Sequence, residues 1–292
     1  MSPSQVKIKH IALPSKIDVF YRESGPSDAP VVLLLHGFPS SSHQYRNLIP
    51  ILASKYRVIA PDLPGFGFTT IPSSLAFKYT FDNLASTIFD FIDALSVSKF
   101  AMFIFDYGAP TGLRLALQRP EAVTAIVSQN GNAYVEGLGE FWNPIRQFWA
   151  SDNTPADREK LGAAMLSYEA TKWQYEEGTR DPSSIAPESY TLDYALLQRP
   201  GNTDVQLDLF RDYENNLIVY PKFQQYFRTS KVPILAVWGK NDPIFIPPGA
   251  EAFKRDAPGA EVHLLDAGHF AVETETAEIG QLMLDFLNKH GI

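Results

Sequence analysis

The sequence predicts an α/β fold: a mostly parallel sheet flanked by helices and interrupted once by an inserted helical segment. Short continuous apolar runs recur along the chain, each closed by Gly, Pro or polar residues, as in strands buried on both faces. Between them lie segments whose apolar residues recur three and four apart, the spacing of helices with one buried face. Strand and helix alternate in this way up to Asn130 and again from Val232, the signature of parallel strands joined by helical crossovers.

Taken in order, VKIKHIAL and IDVFYRE alternate about the Pro14 turn and read as an antiparallel hairpin at a sheet edge. The runs VVLLLHG, YRVIAPD, KFAMFIFD and AVTAIVSQN follow as buried strands, separated by the helical patterns QYRNLIPILAS, FDNLASTIFDFIDAL and PTGLRLALQRP. After Asn130 the pattern gives way to a polar, helix-rich stretch with several Pro residues, studded by Trp142, Phe148, Trp149, Trp173, Tyr175, Tyr190 and Tyr194. VPILAVWGKNDP and AEVHLLDAGH restore the strand pattern, and an amphipathic helix closes the chain near Leu287. One core domain, residues 1–132 and 229–292, with a helical cap over 133–228, is the expected organisation.

A chain of 292 residues, 45% hydrophobic and 20% charged, can bury one large core. Its net charge of -8, with no basic cluster, argues against nucleic acid or an anionic membrane as partner and favours a small molecule. Cys is absent, so there is no disulfide framework and a reducing compartment is the default. The N-terminal stretch MSPSQVKIKHIALPSK lacks the apolar run of a secretory leader, and no segment approaches the roughly 20 apolar residues of a spanning helix. The expectation is a cytoplasmic protein.

Chemistry concentrates in FIFDYGAPTG, where a buried strand runs directly into a helix through Asp106, Tyr107 and Gly108. A nucleophile elbow has this layout: a tight turn lifts one side chain above the sheet, and a small residue two positions on lets strand and helix approach. The competing reading is an Asp that caps a helix beginning near Pro110. In such a fold an acid and a His follow in chain order on loops after late strands, where Asp242 and His269 stand. Taken singly, Asp242 could be an Asx-turn residue before Pro243 and His269 a surface-loop histidine. The loop HGFP supplies one backbone amide of an oxyanion hole, at Phe38, and Tyr107 supplies the other. His36 is expected to make structural hydrogen bonds beneath that loop. His10, His43, His263 and His290 fall outside any such pattern, and with no metal-ligand spacing the expectation is no metal and no cofactor.

These motifs, HGFP at 36–39, PDLPGFGFT at 61–69, D-Y-G at 106–108, GKNDP at 239–243 and GHF at 268–270, resemble the α/β-hydrolase superfamily across nearly the whole chain. The resemblance is to its branch with an Asp nucleophile, the soluble epoxide hydrolases, haloalkane dehalogenases and fluoroacetate dehalogenases. It implies a cis bond before Pro39, an alkyl-enzyme ester on Asp106, His269 as the base that activates water and Asp242 as the acid that orients it. Phe38 stands where many haloalkane dehalogenases carry a halide-binding Asn, and Tyr107 where a halide-binding Trp is common. Tyr107 and Pro110 likewise stand where fluoroacetate dehalogenases place carboxylate-binding Arg residues. The run RDYENN resembles the segment bearing the second cap tyrosine of epoxide hydrolases and nominates Tyr213 as a proton donor. The position of the first is taken by FWNPIRQFW, whose Trp142 and Trp149 are either substrate-pocket residues or plain cap packing. Epoxide hydrolysis of an apolar small molecule, with water as co-substrate, is therefore expected first and carbon–halogen hydrolysis second. A noncatalytic binding member of the fold is the remaining alternative. Oligomeric state is not legible.

Overall fold

A computed structural model describes residues 5–292; Met1–Ser4, the start of the stretch read above for a leader, lie outside the described residues. Its centre is an eight-stranded sheet of order β1-β2-β4-β3-β5-β6-β7-β8. β1 (Lys7–Ala12) and β2 (Asp18–Ser24) form the expected antiparallel hairpin. β2 also runs antiparallel to β4 (Arg57–Pro61). The other pairings, among β3 (Val31–Leu35), β4, β5 (Phe100–Phe105), β6 (Val123–Gln129), β7 (Ile234–Gly239) and β8 (Glu261–Leu265), are parallel. This is the α/β-hydrolase fold that the motifs imply.

Both faces of the sheet are covered, and β5 shows why its sequence has no polar alternation. Met102 and Ile104 enter the cluster on one face and Ala101, Phe103 and Phe105 the cluster on the other, so all six β5 residues are buried. The first face carries α2 (Phe81–Ala94) and α3 (Gly108–Gln118) through residues such as Leu84, Ile88, Phe91 and Leu113. The second carries α1 (Leu48–Leu52) and, at the end of the chain, α11 (Thr276–Lys289), through Leu48, Ile49, Ile279, Met283 and Phe286. The helical pattern QYRNLIPILAS folds differently from expectation: a 3-10 turn over Ser42–Tyr45 precedes an α1 of only five residues. Pro50 explains the short helix, because Pro is tolerated only in a first turn, where its missing N–H costs nothing.

Every residue of 133–228 lies between β6 and β7, in the helices α4 (Asn143–Trp149), α5 (Pro155–Met165), α6 (Tyr168–Glu176), α7 (Pro187–Leu197) and α8 (Asn202–Ser230), with shorter 3-10 turns. Thr154 and Ser167 cap α5 and α6 by accepting hydrogen bonds from Asp157 and Ala170 amides. α8 is 29 residues long and runs across the 228/229 division. At its start Leu207 packs near Gly162 of α5; further on, Asn216 accepts a hydrogen bond from Arg114 of α3. Near its end Arg228 pairs with Asp256 of α9 (Pro248–Asp256). One helix thus ties the insert to the core. α10 (Ala271–Thr274) completes the set, and among the described residues no helix is long and apolar enough to cross a membrane.

Candidate active site

The turn after β5 sets the site. Asp106 has φ +46°, a left-handed backbone uncommon outside Gly and tolerated where surrounding structure enforces it. Enforcement comes from close packing: a Cβ on Gly108 would lie 2.1 Å from the Leu35 carbonyl oxygen, and one on Gly37 2.3 Å from Asp106 Oδ1. α3 begins at Gly108, two residues earlier than expected, with Tyr107 at its N-cap and no capping side chain. Asp106 is therefore not a helix cap, and the capping alternative is set aside.

The Phe38 amide donates to Asp106 Oδ1 at 2.6 Å, across the cis Phe38–Pro39 turn, and the Tyr107 amide also bonds this carboxylate. Asp106 is 5% exposed. Burial pushes its pKa up to about 6, against the opposing pull of His269 and the two amides. Oδ2 faces His269 Nε2 at 4.0 Å, and that nitrogen, fully buried, has no hydrogen-bond partner. On the other side of the ring Nδ1–H donates to Asp242 Oδ2 at 2.8 Å. Burial disfavours the charged imidazole, but the Asp242 carboxylate, helped by Asp106, outweighs it and leaves the His269 pKa raised.

Asp242 makes a contact that suits each of the two readings of it. Its Oδ1 accepts the Ile244 amide at 2.7 Å, the Asx turn, while Oδ2 serves His269. His269 is not a surface-loop residue. His36 accepts the Leu63 amide at Nε2, 2.9 Å, and its Nδ1–H donates to the Gly37 carbonyl at 3.0 Å, a brace under the Phe38 loop.

Tyr213 is fully buried, with its ring 5.8 Å from Tyr107 and 5.5 Å from Phe81. Its hydroxyl lies 3.1 Å from that of Tyr220, which accepts from Asn132 Nδ2 at 3.3 Å. Burial holds both phenols well in the protonated range. Trp142 and Trp149 pack on Tyr213, at 4.5 Å tilted and 6.4 Å stacked. Their indole N–H groups are both committed, Trp142 to the Ile244 carbonyl and Trp149 to the Phe210 carbonyl, each at 2.8 Å. Neither indole N–H is left free to serve another acceptor.

Sequence reasoning missed two participants. Tyr220 stands seven residues after Tyr213, two turns along the same face of α8; that spacing was readable. Asn130, with φ +46° at the end of β6, donates to Asp242 Oδ2 at 2.6 Å and accepts the Gly239 amide at 2.9 Å. Its place, one strand along from Asp106, was the available signal. Among the described residues no cluster of His, Cys, Asp or Glu is arranged to hold a metal ion.

Residues 30–276 match the family described as alpha/beta hydrolase fold. The chain belongs to the α/β-hydrolase superfamily, in the branch with Asp at the elbow. It is 47% identical to an uncharacterized hydrolase of Saccharomyces cerevisiae, over 96% of this chain and 97% of that one. To a haloalkane dehalogenase of Psychrobacter cryohalolentis it is 29% identical over 94% and 88% of the two chains. Among solved structures, an epoxide hydrolase of Vigna radiata superposes with a TM-score of 0.76 at 25% identity, covering 97% of this chain and 98% of that one. This α/β hydrolase is thus similar to enzymes that differ in the bond they break, and the distinction rests on the site.

Proposed function

We propose that this hydrolase opens an epoxide on a small, largely apolar molecule to a diol, through an ester on Asp106. The observation that carries the reading is the buried Tyr213–Tyr220 hydroxyl pair on the cap side of the site, 3.1 Å apart. An alkoxide leaving group requires a proton, whereas a halide requires only N–H or O–H dipoles. Asn132 donates to Tyr220; in the orientation of the hydroxyl pair in which Tyr220 donates to Tyr213, the Tyr213 proton is left to serve substrate oxygen. Trp142 and Trp149 spend their indole N–H groups on backbone carbonyls, which removes these two as donors to a halide.

In the first step Asp106 Oδ2 attacks an epoxide carbon; the C–O bond breaks and its electrons go to the ring oxygen, which takes the Tyr213 proton. A carboxylate needs no base for this attack. In the second, His269 Nε2, unpartnered, removes a proton from water, which attacks the ester carbon of Asp106. Charge collects on Oδ1, which already accepts the Phe38 amide, with the Tyr107 amide as the second donor to this carboxylate. Collapse expels the product alkoxide on Oδ2, which takes the proton held by His269 and leaves as the diol, while the remaining proton of the added water passes to the tyrosinate and Asp106 returns as a carboxylate. Asp242, itself held by Asn130, keeps the imidazole in the required tautomer throughout.

Incubation with styrene oxide and, separately, with a panel of bromoalkanes tests the reading by diol formation and bromide release. Diol without bromide is expected. Bromide without diol would move the assignment to a dehalogenase with an unusual halide site, and silence on both would favour the binding alternative.

A further inference from the structure

The end of α6 and the residues that follow it reach three loops of the site, those that carry Phe38, Asp242 and His269. The Tyr175 ring lies face to face on Phe270, with centroids 3.8 Å apart and planes 9° from parallel. Phe270 in turn meets the His269 ring edge-on at 5.3 Å and Phe105 at 4.9 Å, so it forms one side of the imidazole's cage. At its other end the Tyr175 hydroxyl is held by buried Asp193 of α7 and lies 3.4 Å from Ser40 Oγ, in the loop that presents Phe38.

The next residues make backbone contact with the other two loops. Gly178 accepts a hydrogen bond from Asn241 Nδ2 at 2.9 Å, beside Asp242, and has φ +75°. A Cβ there would stand 2.4 Å from the Asn241 carbonyl oxygen. On the His269 side, a Cβ on Gly268 would stand 2.0 Å from the Glu177 carbonyl oxygen. Only glycine allows so close an approach from either side. Three loops that come from different strands therefore share one brace, residues 175–178.

We propose that Tyr175 is a positioning residue, acting through Phe270 to hold His269 Nε2 toward Asp106, with Gly178 and Gly268 setting the distance between brace and loops. In kinetic form this rests on the two-step reading above. Asp106 is placed by its own elbow, so the brace matters for water attack, which depends on His269, more than for ester formation. A displacement of about 1 Å in a reacting group costs on the order of 100-fold.

Two measurements separate this idea from the choice of reaction. The first needs no substrate: the His269 Nδ1–H resonance, shifted downfield by its bond to Asp242, is followed against pH in wild type, Tyr175→Ala and Tyr175→Phe. Tyr175→Ala is expected to lose or broaden the signal and shift the titration, and Tyr175→Phe, which keeps the ring stack, to restore both. The second compares single-turnover ester formation with ester breakdown; Tyr175→Ala is expected to slow breakdown by about 10–100-fold and formation by less than about threefold. Should Tyr175→Ala fail to fold, Gly178→Ala, which presses on the Asn241 carbonyl while leaving the stack in place, carries both readouts with the same expectation. A wild-type resonance, titration and breakdown rate in a folded variant would overturn the proposal. If no substrate is turned over at all, the two-step reading fails while the resonance still decides the brace.

Discussion

A buried carboxylate attacks carbon only when ionised, and burial of Asp106 works against ionisation, lifting its pKa to about 6. Ester formation should therefore proceed at its plateau above that pH and fall about tenfold per unit below it, as expected for one titrating group; stopped-flow bursts across pH 4.5–8, roughly, would show it. A burst rate flat to pH 4.5 would mean that another step limits. The Asp106 charge is also one of the influences that raise the His269 pKa. Ester formation removes that charge, so the imidazole becomes a freer base at the moment water must be activated. His269→Gln should accordingly form the ester and keep it, seen by intact-mass spectrometry as a substrate adduct located on Asp106; absence of any adduct with a substrate the wild type consumes would sink the two-step mechanism. Tyr213 separates the leaving groups: Tyr213→Phe should slow diol formation by about 100-fold while leaving any bromide release unchanged. Equal losses on both would mean that its packing against Trp142 and Trp149, rather than its proton, is what matters.

At the scale of elements, the site is made where strands end. β5 delivers Asp106, β6 delivers Asn130, and the loops after β7 and β8 deliver Asp242 and His269, all at one edge of the parallel sheet. The β5–α3 junction is closely packed, because strand β3 and helix α3 meet across Gly108 with no room for a methyl group. Gly108→Ala should cost about 3 kcal/mol of stability, as overpacking with backbone displacement does, measured by urea unfolding, and should lose the Asp106 adduct even where the protein remains folded. A variant with normal stability and normal adduct formation would show that the elbow can relax. α8 has a comparable role on the cap side: one continuous helix sets Tyr213 and Tyr220 two turns apart and so brings their hydroxyls together.

Across the whole molecule, the helices between β6 and β7 are joined to the rest of the chain by polar ties as well as by apolar packing. Arg46, just before α1, pairs with Glu273 of α10 through two bonds of 2.8 Å and reaches Ser189 of α7 at 3.0 Å. The Glu273 side chain is 3% exposed. Removing the cation would leave a buried carboxylate unpaired, so Arg46→Met should lower stability by about 3 kcal/mol, read from the shift in urea midpoint at constant slope. A loss below about 0.5 kcal/mol would place this tie with ordinary surface pairs. The acidic net charge of -8 fits a neutral small-molecule substrate and has no bearing on the fold itself.

Local pattern was enough for much of this. Apolar runs and helical spacing determined the strands, the flanking helices and the position of the insertion, because burial on both faces of a parallel sheet leaves no polar alternation to confuse the reading. Helix α1 was read too long, since periodicity alone does not register the effect of Pro50. Asp106, Asp242 and His269 could be nominated from their places after strands, and Phe38 from its motif, because those positions are consequences of chain order. Tertiary structure alone decided which partners these groups meet. Asn130 bonding Asp242, Tyr220 bonding Tyr213 and the brace from Tyr175 to Gly178 stacking on Phe270 are contacts that chain order and spacing could at most suggest and only folding establishes. Folding brought these residues within hydrogen-bond and ring contact, and the proposed chemistry depends on that convergence.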